Sequence, residues 1–433
     1  MDPARLERAK QLSRRYVDEG KVPFSQLLVA HRGHIELQDS HGWANIEQRT
    51  PIADDSIVRI YSMSKPIACA AALICYEMGH FELEQPVELF LPEFGDMQVF
   101  DAESGQLAPA ARRMNIKQLF MHTSGLGGGV GGPHRAAYRD LVKAAAAGNE
   151  GEPDDLAESV RRMAALPLVS HPGDRWNYAG GHTVLGRLVE VWTGIPFGDF
   201  LQEHIFDPLD MTDTGFRLPE DKFSRLASNY QVPNLRGSFQ QVAEAGHYST
   251  GDGEVAELVD ISGRTSAAVS DPERAHRLAS GSGGLVGTIG DYFKFAQCLL
   301  DNMKGRSSGP NGVRLLGRKT AELMATNHAK ADGSQQVVWG ARGLGFGLGV
   351  AVDIEPTEST GFTSAGEFWW GGAASTLCKI GALCRFVAPP VLPTLKASLS
   401  QSGSTRPRRS CASTTRSSCR PTSGPCARSC ASR

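Results

Sequence analysis

The strongest hydrophobic signal in the chain is an apolar run over residues 66–78. Apolar side chains would cover every face of a helix formed by this run, which predicts a helix in the centre of a core. Proline is tolerated in the first helical turn, where its missing N–H would lack a partner in any case. Pro66 therefore predicts that the helix begins between Ser62 and Lys65.

Shorter apolar segments predict β-strands near both ends of the chain. Residues 26–30 and 35–37 flank a turn containing Gly, and this pattern predicts a hairpin. Strand character returns at residues 283–286, at residues 345–352 and over residues 369–376.

The length of the chain predicts more than one structural part. Its 433 residues exceed the ~250–300 at which a single core stops growing, so two domains or one domain with a large insertion are expected. Residues 91–270 contain helical segments and Gly/Pro-rich loops, and an amphipathic helix is predicted over residues 291–300. We predict an α/β domain from residues 1–90 and 271–377, a mainly helical domain over residues 91–270, and an atypical tail over residues 378–433.

Composition and charge are those of an ordinary soluble protein, with 41% hydrophobic residues, 21% charged residues and a net charge of −2. A net charge this close to zero produces no strong positive electrostatic field that would attract nucleic acid or an anionic membrane. The charged N-terminal segment lacks the apolar centre of a signal peptide, and no run has the length of a membrane span. We therefore expect a cytoplasmic protein that binds neither nucleic acid nor membrane.

Cysteine and histidine positions indicate neither disulfides nor a metal site. Of nine cysteines only Cys69, Cys75 and Cys298 precede residue 378, and the first two lie in the apolar run, where a free thiol acts as a small hydrophobe. His31 and His34 flank the predicted hairpin turn without a third ligand at a suitable spacing, which favours a structural role. We expect no metal and no organic cofactor.

The candidate chemistry lies at the start of the apolar helix, in the Ser-x-x-Lys set of Ser62 and Lys65. Residues three apart share one face of a helix, so the Lys65 amine can reach the Ser62 hydroxyl. The N–H groups at a helix N-terminus favour a developing oxyanion. Burial and the same positive end disfavour an ammonium and so keep Lys65 basic. We interpret Ser62 as a nucleophile rather than as part of a chance pair.

Two other motifs lack the context that their chemistry needs. Residues 127–132 fit the pattern G-x-G-x-x-G, but no strand precedes them and no helix start follows, so a loop is favoured over a nucleotide site. Residues 305–309 fit the G-x-S-x-G elbow around Ser307, which needs a buried strand just before the serine. A predicted amphipathic helix precedes Ser307 instead, so we predict a polar surface turn.

The sequence around Ser62 resembles the active-site segment of the serine β-lactamase and penicillin-binding-protein superfamily, and above all its esterase branch, the family VIII carboxylesterases. Four collinear segments carry the resemblance, which covers about residues 5–376: residues 58–66, 118–126, 172–180 and 205–216. The resemblance implies an α+β fold of the β-lactamase-like type. In that fold an antiparallel sheet from both chain ends is flanked by helices, a mainly helical domain is inserted, and the site lies in the cleft.

The resemblance also implies the roles of individual residues. Ser62 corresponds to the nucleophile, Lys65 to its proton acceptor, and Tyr178 to a second base whose phenol relays the leaving-group proton if a neighbouring ammonium lowers its pKa. A tyrosine that only packs against Trp176 is the alternative for Tyr178.

Residues 370–373 match the family's third motif, where the esterase branch often carries Trp-Gly-Gly. Trp370, Gly371 and Gly372 would form an edge strand on which an acyl group lies, and Ala373 with Ser62 would supply the N–H groups of an oxyanion hole. The alternative is that Trp369 and Trp370 are core aromatics.

Two departures from β-lactamases favour uncharged esters over penicillins. Trp370 replaces a lysine that would hold a carboxylate, and Gly180 replaces the asparagine of the Tyr-x-Asn motif. The resemblance thus implies a serine carboxylesterase acting on a small-molecule ester with a short acyl chain, through an acyl-enzyme on Ser62. One alternative is a β-lactamase or D-peptidase that acts on amides, in the first case a β-lactam. The other is a protein whose catalytic activity is impaired because its C-terminal sheet is incomplete.

The last 56 residues, 378–433, differ in composition from the rest of the chain. They contain no Asp or Glu, ten Lys or Arg and six of the nine cysteines. Such a segment is not expected to fold, and it does not match the strands and helix that follow Trp-Gly-Gly in the family. We hypothesise a shifted reading frame after about Thr376. Codon degeneracy allows the codons of residues 410–419, read one base earlier, to encode a sequence typical of a helix. A basic tail that binds nucleic acid or an acidic partner is the alternative.

Overall fold

An eight-stranded antiparallel sheet forms the centre of the fold in the computed structural model of the chain. The structure describes residues 1–127, 135–146, 153–231, 258–262, 272–309, 311–330, 335, 337–358, 363–381 and 384–388. The strands in these ranges are β1 (Phe24–His31), β2 (His34–Asn45), β3 (Thr50–Pro51), β4 (Val58–Arg59), β5 (Gln98–Phe100), β6 (Leu107–Pro109), β7 (Tyr230–Gln231), β8 (Val259–Asp260), β9 (Val286–Gly287), β10 (Leu344–Phe346), β11 (Ala351–Asp353), β12 (Phe368–Gly372), β13 (Thr376–Ile380) and β14 (Cys384–Ala388).

The order of strands in the large sheet is β10-β11-β12-β13-β14-β1-β2-β3, and all neighbours are antiparallel. Pairing of β1 with β14 joins the two ends of the described chain in one sheet. The first seven residues of β1 are buried, which fits its place inside the sheet. The predicted α+β fold with an antiparallel sheet built from both chain ends is confirmed.

Helices surround this sheet. They are α1 (Pro3–Asp18), α2 (Ser64–Glu77), α3 (Ile116–Phe120), α4 (Arg135–Ala146), α5 (Leu156–Ala164), α6 (Gly181–Thr193), α7 (Phe197–Leu201), α8 (Pro272–Arg277), α9 (Ile289–Met303), α10 (Arg318–Met324) and α11 (Val337–Gly340). α1 packs on β1 and β2, α9 packs on β13 and β14, and α2 packs against α6. No helix in the described ranges has the length and apolar character that a membrane crossing requires.

The two strongest sequence predictions are confirmed. The hairpin of β1 and β2 turns at Arg32 and Gly33, whose φ angles of 53° and 83° match the twist of the strands they join. The apolar run forms α2, in which every residue from Ser64 to Cys75 is buried. Pro66 lies in the first turn of α2, as its missing N–H requires.

The prediction of one strand over residues 345–352 is wrong in detail, because β10 and β11 form a hairpin there. Gly347 donates its N–H to the carbonyl of Val350 and so closes a turn between the strands. At Gly349 φ is +93°, and an added Cβ would lie 2.2 Å from Sγ of Cys69. The glycines therefore reverse the chain where the apolar pattern continues.

The expectation that residues 378–433 do not fold is wrong for their first part, since β13 reaches Ile380 and β14 spans Cys384–Ala388. Lys379 of β13 ties this part of the sheet together. Its Nζ lies 2.8 Å from Oδ2 of Asp353 and 3.1 Å from Oε2 of Glu367. The family-like sheet thus extends beyond Thr376, and residues 389–433 lie outside the described residues together with any alternative reading of them.

The segment between residues 91 and 270 is mainly helical in the parts that the structure describes, with short strand pairs β5–β6 and β7–β8. These pairs are two or three residues long and were not predicted, because so few residues carry no periodic pattern. The domain boundaries at residues 90, 270 and 377 remain predictions.

Candidate active site

Ser62 lies in a turn of 3₁₀-helix, Tyr61–Met63, that leads directly into α2. Lys65 lies in the first turn of α2, one turn after Ser62. The Nζ atom of Lys65 is 3.1 Å from the Oγ atom of Ser62. The spacing of three residues therefore brings the two groups together, as the sequence predicts.

Tyr178 approaches Ser62 from the other side, although it is 116 residues away in the sequence. It precedes α6, and the N–H of the neighbouring Asn177 donates to the carbonyl of His122 at 2.7 Å. The Tyr178 hydroxyl donates to Oγ of Ser62 at 2.7 Å. The Ser62 oxygen is thus in contact with one amine and one phenol.

Lys65 is buried, with 3% of its surface exposed. Its Nζ donates to the carbonyl of Ser282 at 2.7 Å, and the Ser282 hydroxyl in turn accepts hydrogen bonds from the N–H and the hydroxyl of Thr183. Burial lowers the pKa of Lys65 from 10.5 to about 7. Near neutral pH the amine therefore exists in both protonation states and can take up a proton.

The condition set for Tyr178, a pKa lowered by a neighbouring ammonium, is not met. Burial raises the pKa of Tyr178 above its ordinary value of 10, although contacts with Ser62 and Trp370 oppose the rise. The Lys65 amine does lie over the Tyr178 ring, 4.7 Å from its centroid. The phenol is therefore neutral in the resting site and acts as a donor toward Ser62.

The Trp-Gly-Gly segment lies beside this group. The Trp370 ring is 5.6 Å from the Tyr178 ring, centroid to centroid. A Cβ at Gly372 would lie 2.3 Å from the Ile60 carbonyl oxygen, so the end of β12 packs directly against the turn that carries Ser62. Ala373 follows in the exposed turn between β12 and β13.

Trp370 and Tyr178 also make the packing contacts that were the alternative to a role in the site. Trp370 is 4% exposed and packs in an aromatic cluster with Trp176 and Phe346. Tyr178 stacks on Trp176 with ring centroids 5.9 Å apart, and it also bonds Ser62. These residues therefore contribute to the core and border the candidate site at once.

A family model named Beta-lactamase matches residues 9–380, which is most of the chain. The chain belongs to the Beta-lactamase family. Family membership and fold together make the protein a serine hydrolase of a family that acts on small molecules. The assignment of Ser62, Lys65 and Tyr178 as its catalytic residues stays a prediction.

Relatives of the chain include an uncharacterized protein of Mycobacterium tuberculosis, 29% identical over 374 residues that cover 84% of each chain. Esterase EstB of Burkholderia gladioli is 28% identical over 352 residues, which cover 80% of this chain and 79% of EstB. Among solved structures, EstCE1, a hydrolase with promiscuous acyltransferase activity, superposes with a TM-score of 0.66 at 22% identity and covers 91% of this chain and 95% of its own. That last likeness supports the fold alone.

A pair of histidines that no sequence pattern indicated lies beneath the Ser62 group. His122 and His182 are both buried, their rings are 4.5 Å apart, and His122 is 4.7 Å from the Tyr178 ring. Burial holds the pKa of His182 well below its ordinary value, and the nearby charge of Lys65 lowers it further. The pKa of His122 is lowered in the same way, mainly by burial. Both imidazoles are therefore neutral and add no positive charge beside Lys65. Their separation of 60 residues gave no sequence signal.

The residues set aside in the sequence are not part of this group. Ser307 is exposed in a turn after α9, with no strand before it, so the G-x-S-x-G elbow is absent. Of the glycine-rich loop, residues 128–132 lie outside the described residues. His31 and His34 pair across the β1–β2 turn, and the described residues contain no cluster of three or more metal-ligating side chains.

Proposed function

We propose that the protein is a serine carboxylesterase that hydrolyses short-chain acyl esters through an acyl-enzyme on Ser62. The observation that carries the proposal is the position of the Ser62 oxygen, 3.1 Å from the Lys65 amine and 2.7 Å from the Tyr178 hydroxyl. A neutral amine at this distance activates a serine hydroxyl for attack. The lowered pKa of Lys65, about 7, supplies that neutral amine near pH 7.

In the proposed reaction Oγ of Ser62 attacks the ester carbonyl carbon, and its proton passes to Lys65. The tetrahedral intermediate then expels the alcohol, which takes the proton of the Tyr178 hydroxyl, and the Lys65 ammonium returns a proton to the phenolate. The products of this half-reaction are the alcohol and an ester of Ser62. Water attacks that ester with the same proton transfers, which releases the carboxylic acid and restores Ser62.

Charge on the carbonyl oxygen would be stabilised by the backbone N–H groups of Ser62 and Ala373. Support for this assignment comes from the close approach of Gly372 to Ile60, because it brings the residue after Gly372 near the Ser62 turn. Trp370, Gly371 and Gly372 would border the acyl group.

The preference for an uncharged ester rests on two positions. Trp370 takes the place of a cationic side chain, so a substrate carboxylate would lack a partner there. Gly180 has no side chain, and a Cβ added to it would lie 2.5 Å from the terminal methyl of Met163, which takes up the space that an asparagine would need. The name of the relative EstB agrees with an ester substrate. We place the reaction in the cytoplasm, in keeping with the free cysteines of the described residues.

Parallel assays of p-nitrophenyl butyrate and nitrocefin with purified protein test this function. We expect fast ester turnover and slow or no nitrocefin turnover, with both lost in Ser62→Ala and retained in Ser307→Ala. Faster nitrocefin turnover would support a β-lactamase instead. An inactive wild type that lacks a cooperative melt would support the impaired-product alternative.

A further inference from the structure

Tyr61, the residue immediately before Ser62, has a backbone conformation that tyrosine rarely adopts. Its φ angle is +47°, in the left-handed region. For a residue with a bulky side chain this region costs roughly 1–2 kcal/mol because Cβ crowds the following carbonyl oxygen. Such a residue keeps this conformation only when its surroundings hold it there. The contacts of Tyr61 therefore bear on the position of the nucleophile.

Backbone contacts hold the chain on both sides of Tyr61. The Ser64 hydroxyl donates to the Tyr61 carbonyl at 2.7 Å, and the N–H of Ile60 donates to the Leu285 carbonyl at 3.1 Å. Gly372 packs on the Ile60 carbonyl, as described above. These contacts fix the path of the main chain but leave the long side chain of Tyr61 to be held separately.

The side chain is held by Asn229, which is 168 residues away in the sequence. Nδ2 of Asn229 donates to the Tyr61 hydroxyl at 2.7 Å. Asn229 is itself fixed, because its N–H donates to the Ser262 hydroxyl at 2.8 Å and its carbonyl accepts from the N–H of Ile261 at 2.7 Å. These two bonds fix the main chain of Asn229, from which the side-chain amide reaches the Tyr61 phenol.

The two residues before Asn229 are also held by main-chain hydrogen bonds to the N-terminal part of the chain. The N–H of Ala227 donates to the Ile57 carbonyl at 2.9 Å, and the N–H of Ser228 donates to the Ala44 carbonyl at 2.8 Å. Of the two residues before Asn229, Ser228 is thus bonded to β2, and Ala227 is bonded to the residue that precedes β4. Asn229 connects these segments to the turn that presents Ser62.

We propose that Asn229 is a positioning residue for the nucleophile, acting through Tyr61. The proposal rests on the assignment of Ser62 as nucleophile. The Oγ atom of Ser62 must stay close to Lys65 and to Tyr178 at the same time, and both contacts depend on the turn that begins at Tyr61. Release of the Tyr61 side chain removes one restraint on its left-handed φ angle, and relaxation of that angle moves Ser62 away from both partners.

Three variants test the proposal through hydrolysis of p-nitrophenyl butyrate: Asn229→Ala, Tyr61→Phe and the double variant. Each removes the same hydrogen bond, so each is expected to lower kcat by about tenfold to a hundredfold, the cost of a displacement of roughly 1 Å, with KM within about twofold of wild type. The double variant is expected to be no slower than the slower single variant, because the groups act as one unit. A fourth variant, Asn229→Asp, should keep kcat within about threefold, since its carboxylate accepts a hydrogen bond from the Tyr61 hydroxyl.

Asn45→Ala is the matched control. Nδ2 of Asn45 donates to the Ser228 hydroxyl at 2.8 Å, and Oδ1 of Asn45 accepts from the N–H of Gln48 at 2.6 Å. This variant therefore removes a similar side-chain bond next to Asn229, together with one local bond, and leaves the bond between Asn229 and Tyr61 in place. We expect wild-type kcat from it. If Asn45→Ala slows the reaction as much as Asn229→Ala, or if the two effects in the double variant add in full, the positioning role is wrong.

The test separates this proposal from the proposed function. Activity that survives in Ser62→Ala overturns the assignment of the nucleophile and the positioning role with it. Loss of activity in Ser62→Ala with wild-type kcat in Tyr61→Phe overturns the positioning role alone. Because Tyr61→Phe leaves residues 226–231 unchanged, it decides the question even if Asn229→Ala does not fold.

Discussion

Replacement of Lys65 by methionine is expected to stabilise the protein at neutral pH while it abolishes activity. Methionine keeps the unbranched shape of the side chain but removes an amine whose protonation is disfavoured by burial. The pKa of Lys65 is lowered from 10.5 to about 7 in the folded state. Between these two values the unfolded chain binds the proton and the folded protein does not. Stability therefore falls as the pH is lowered from about 10.5 to about 7 and is constant below that range.

The size of the effect follows from about 1.4 kcal/mol per unit of pKa difference. The penalty removed with the amine is roughly 4 kcal/mol at pH 7, roughly 2 kcal/mol at pH 9 and close to zero above pH 10.5. Methionine also loses the hydrogen bonds to Ser62 and Ser282, at about 1 kcal/mol each and at every pH. Lys65→Met should thus be about 2 kcal/mol more stable than wild type at pH 7 and equal to it near pH 9.

Urea unfolding of wild type and Lys65→Met between pH 6 and pH 10, with a reducing agent to protect the free cysteines, measures this difference directly. Lys319→Met, on an exposed lysine paired with Glu322, is the control and should change stability by less than about 1 kcal/mol at all pH values. A stability difference between wild type and Lys65→Met that does not change with pH would refute the reasoning, because the amine would then be ordinarily basic in the folded protein.

Three further outcomes are expected. The value of kcat/KM for p-nitrophenyl butyrate should fall about tenfold per pH unit below about pH 7, where Lys65 is protonated, and a profile that is flat down to pH 5 contradicts a neutral Lys65 base. Tyr178→Phe should lower kcat by about a hundredfold or more with cooperative unfolding retained, since it removes the proposed proton donor, and a near-normal kcat argues against that role. Lys379→Met should destabilise the fold by about 3 kcal/mol, because it leaves the buried carboxylates of Asp353 and Glu367 unpaired. Urea unfolding of this variant beside Lys319→Met measures the loss. Equal stability of the two variants would show that the Lys379 ion pairs do not hold β13 in the sheet.

The features that the sequence predicts correctly are those that depend on residues close together in the chain. The continuous apolar run and Pro66 define α2 and its start, and the turn at Arg32 and Gly33 between two apolar segments defines the first hairpin. Because Ser62 lies one turn before Lys65, in the turn that leads into that helix, their contact could be predicted as well. Tyr178 could be placed only through resemblance, since no local rule relates residues 116 positions apart.

Other features depend on tertiary contacts that leave no local pattern. The hairpin of β10 and β11 depends on Gly347, whose N–H closes the turn, and on Gly349, which packs against Cys69. β14 lies in a segment whose composition argues against strand structure. The raised pKa of Tyr178 follows from burial, which a motif does not reveal. The same holds for the hydrogen bond between Asn229 and Tyr61, whose partners meet only in the folded chain.

The most direct test of the central claim is to identify the residue that becomes acylated. Wild type and Ser62→Ala are mixed with p-nitrophenyl butyrate, quenched in acid within the first turnover and examined by mass spectrometry of peptides. We predict one butyryl group on Ser62 in the wild type and none on any residue of Ser62→Ala. A butyryl group on Ser307 or on another residue, or release of p-nitrophenol by Ser62→Ala at the wild-type rate, would contradict the assignment of Ser62 as the nucleophile.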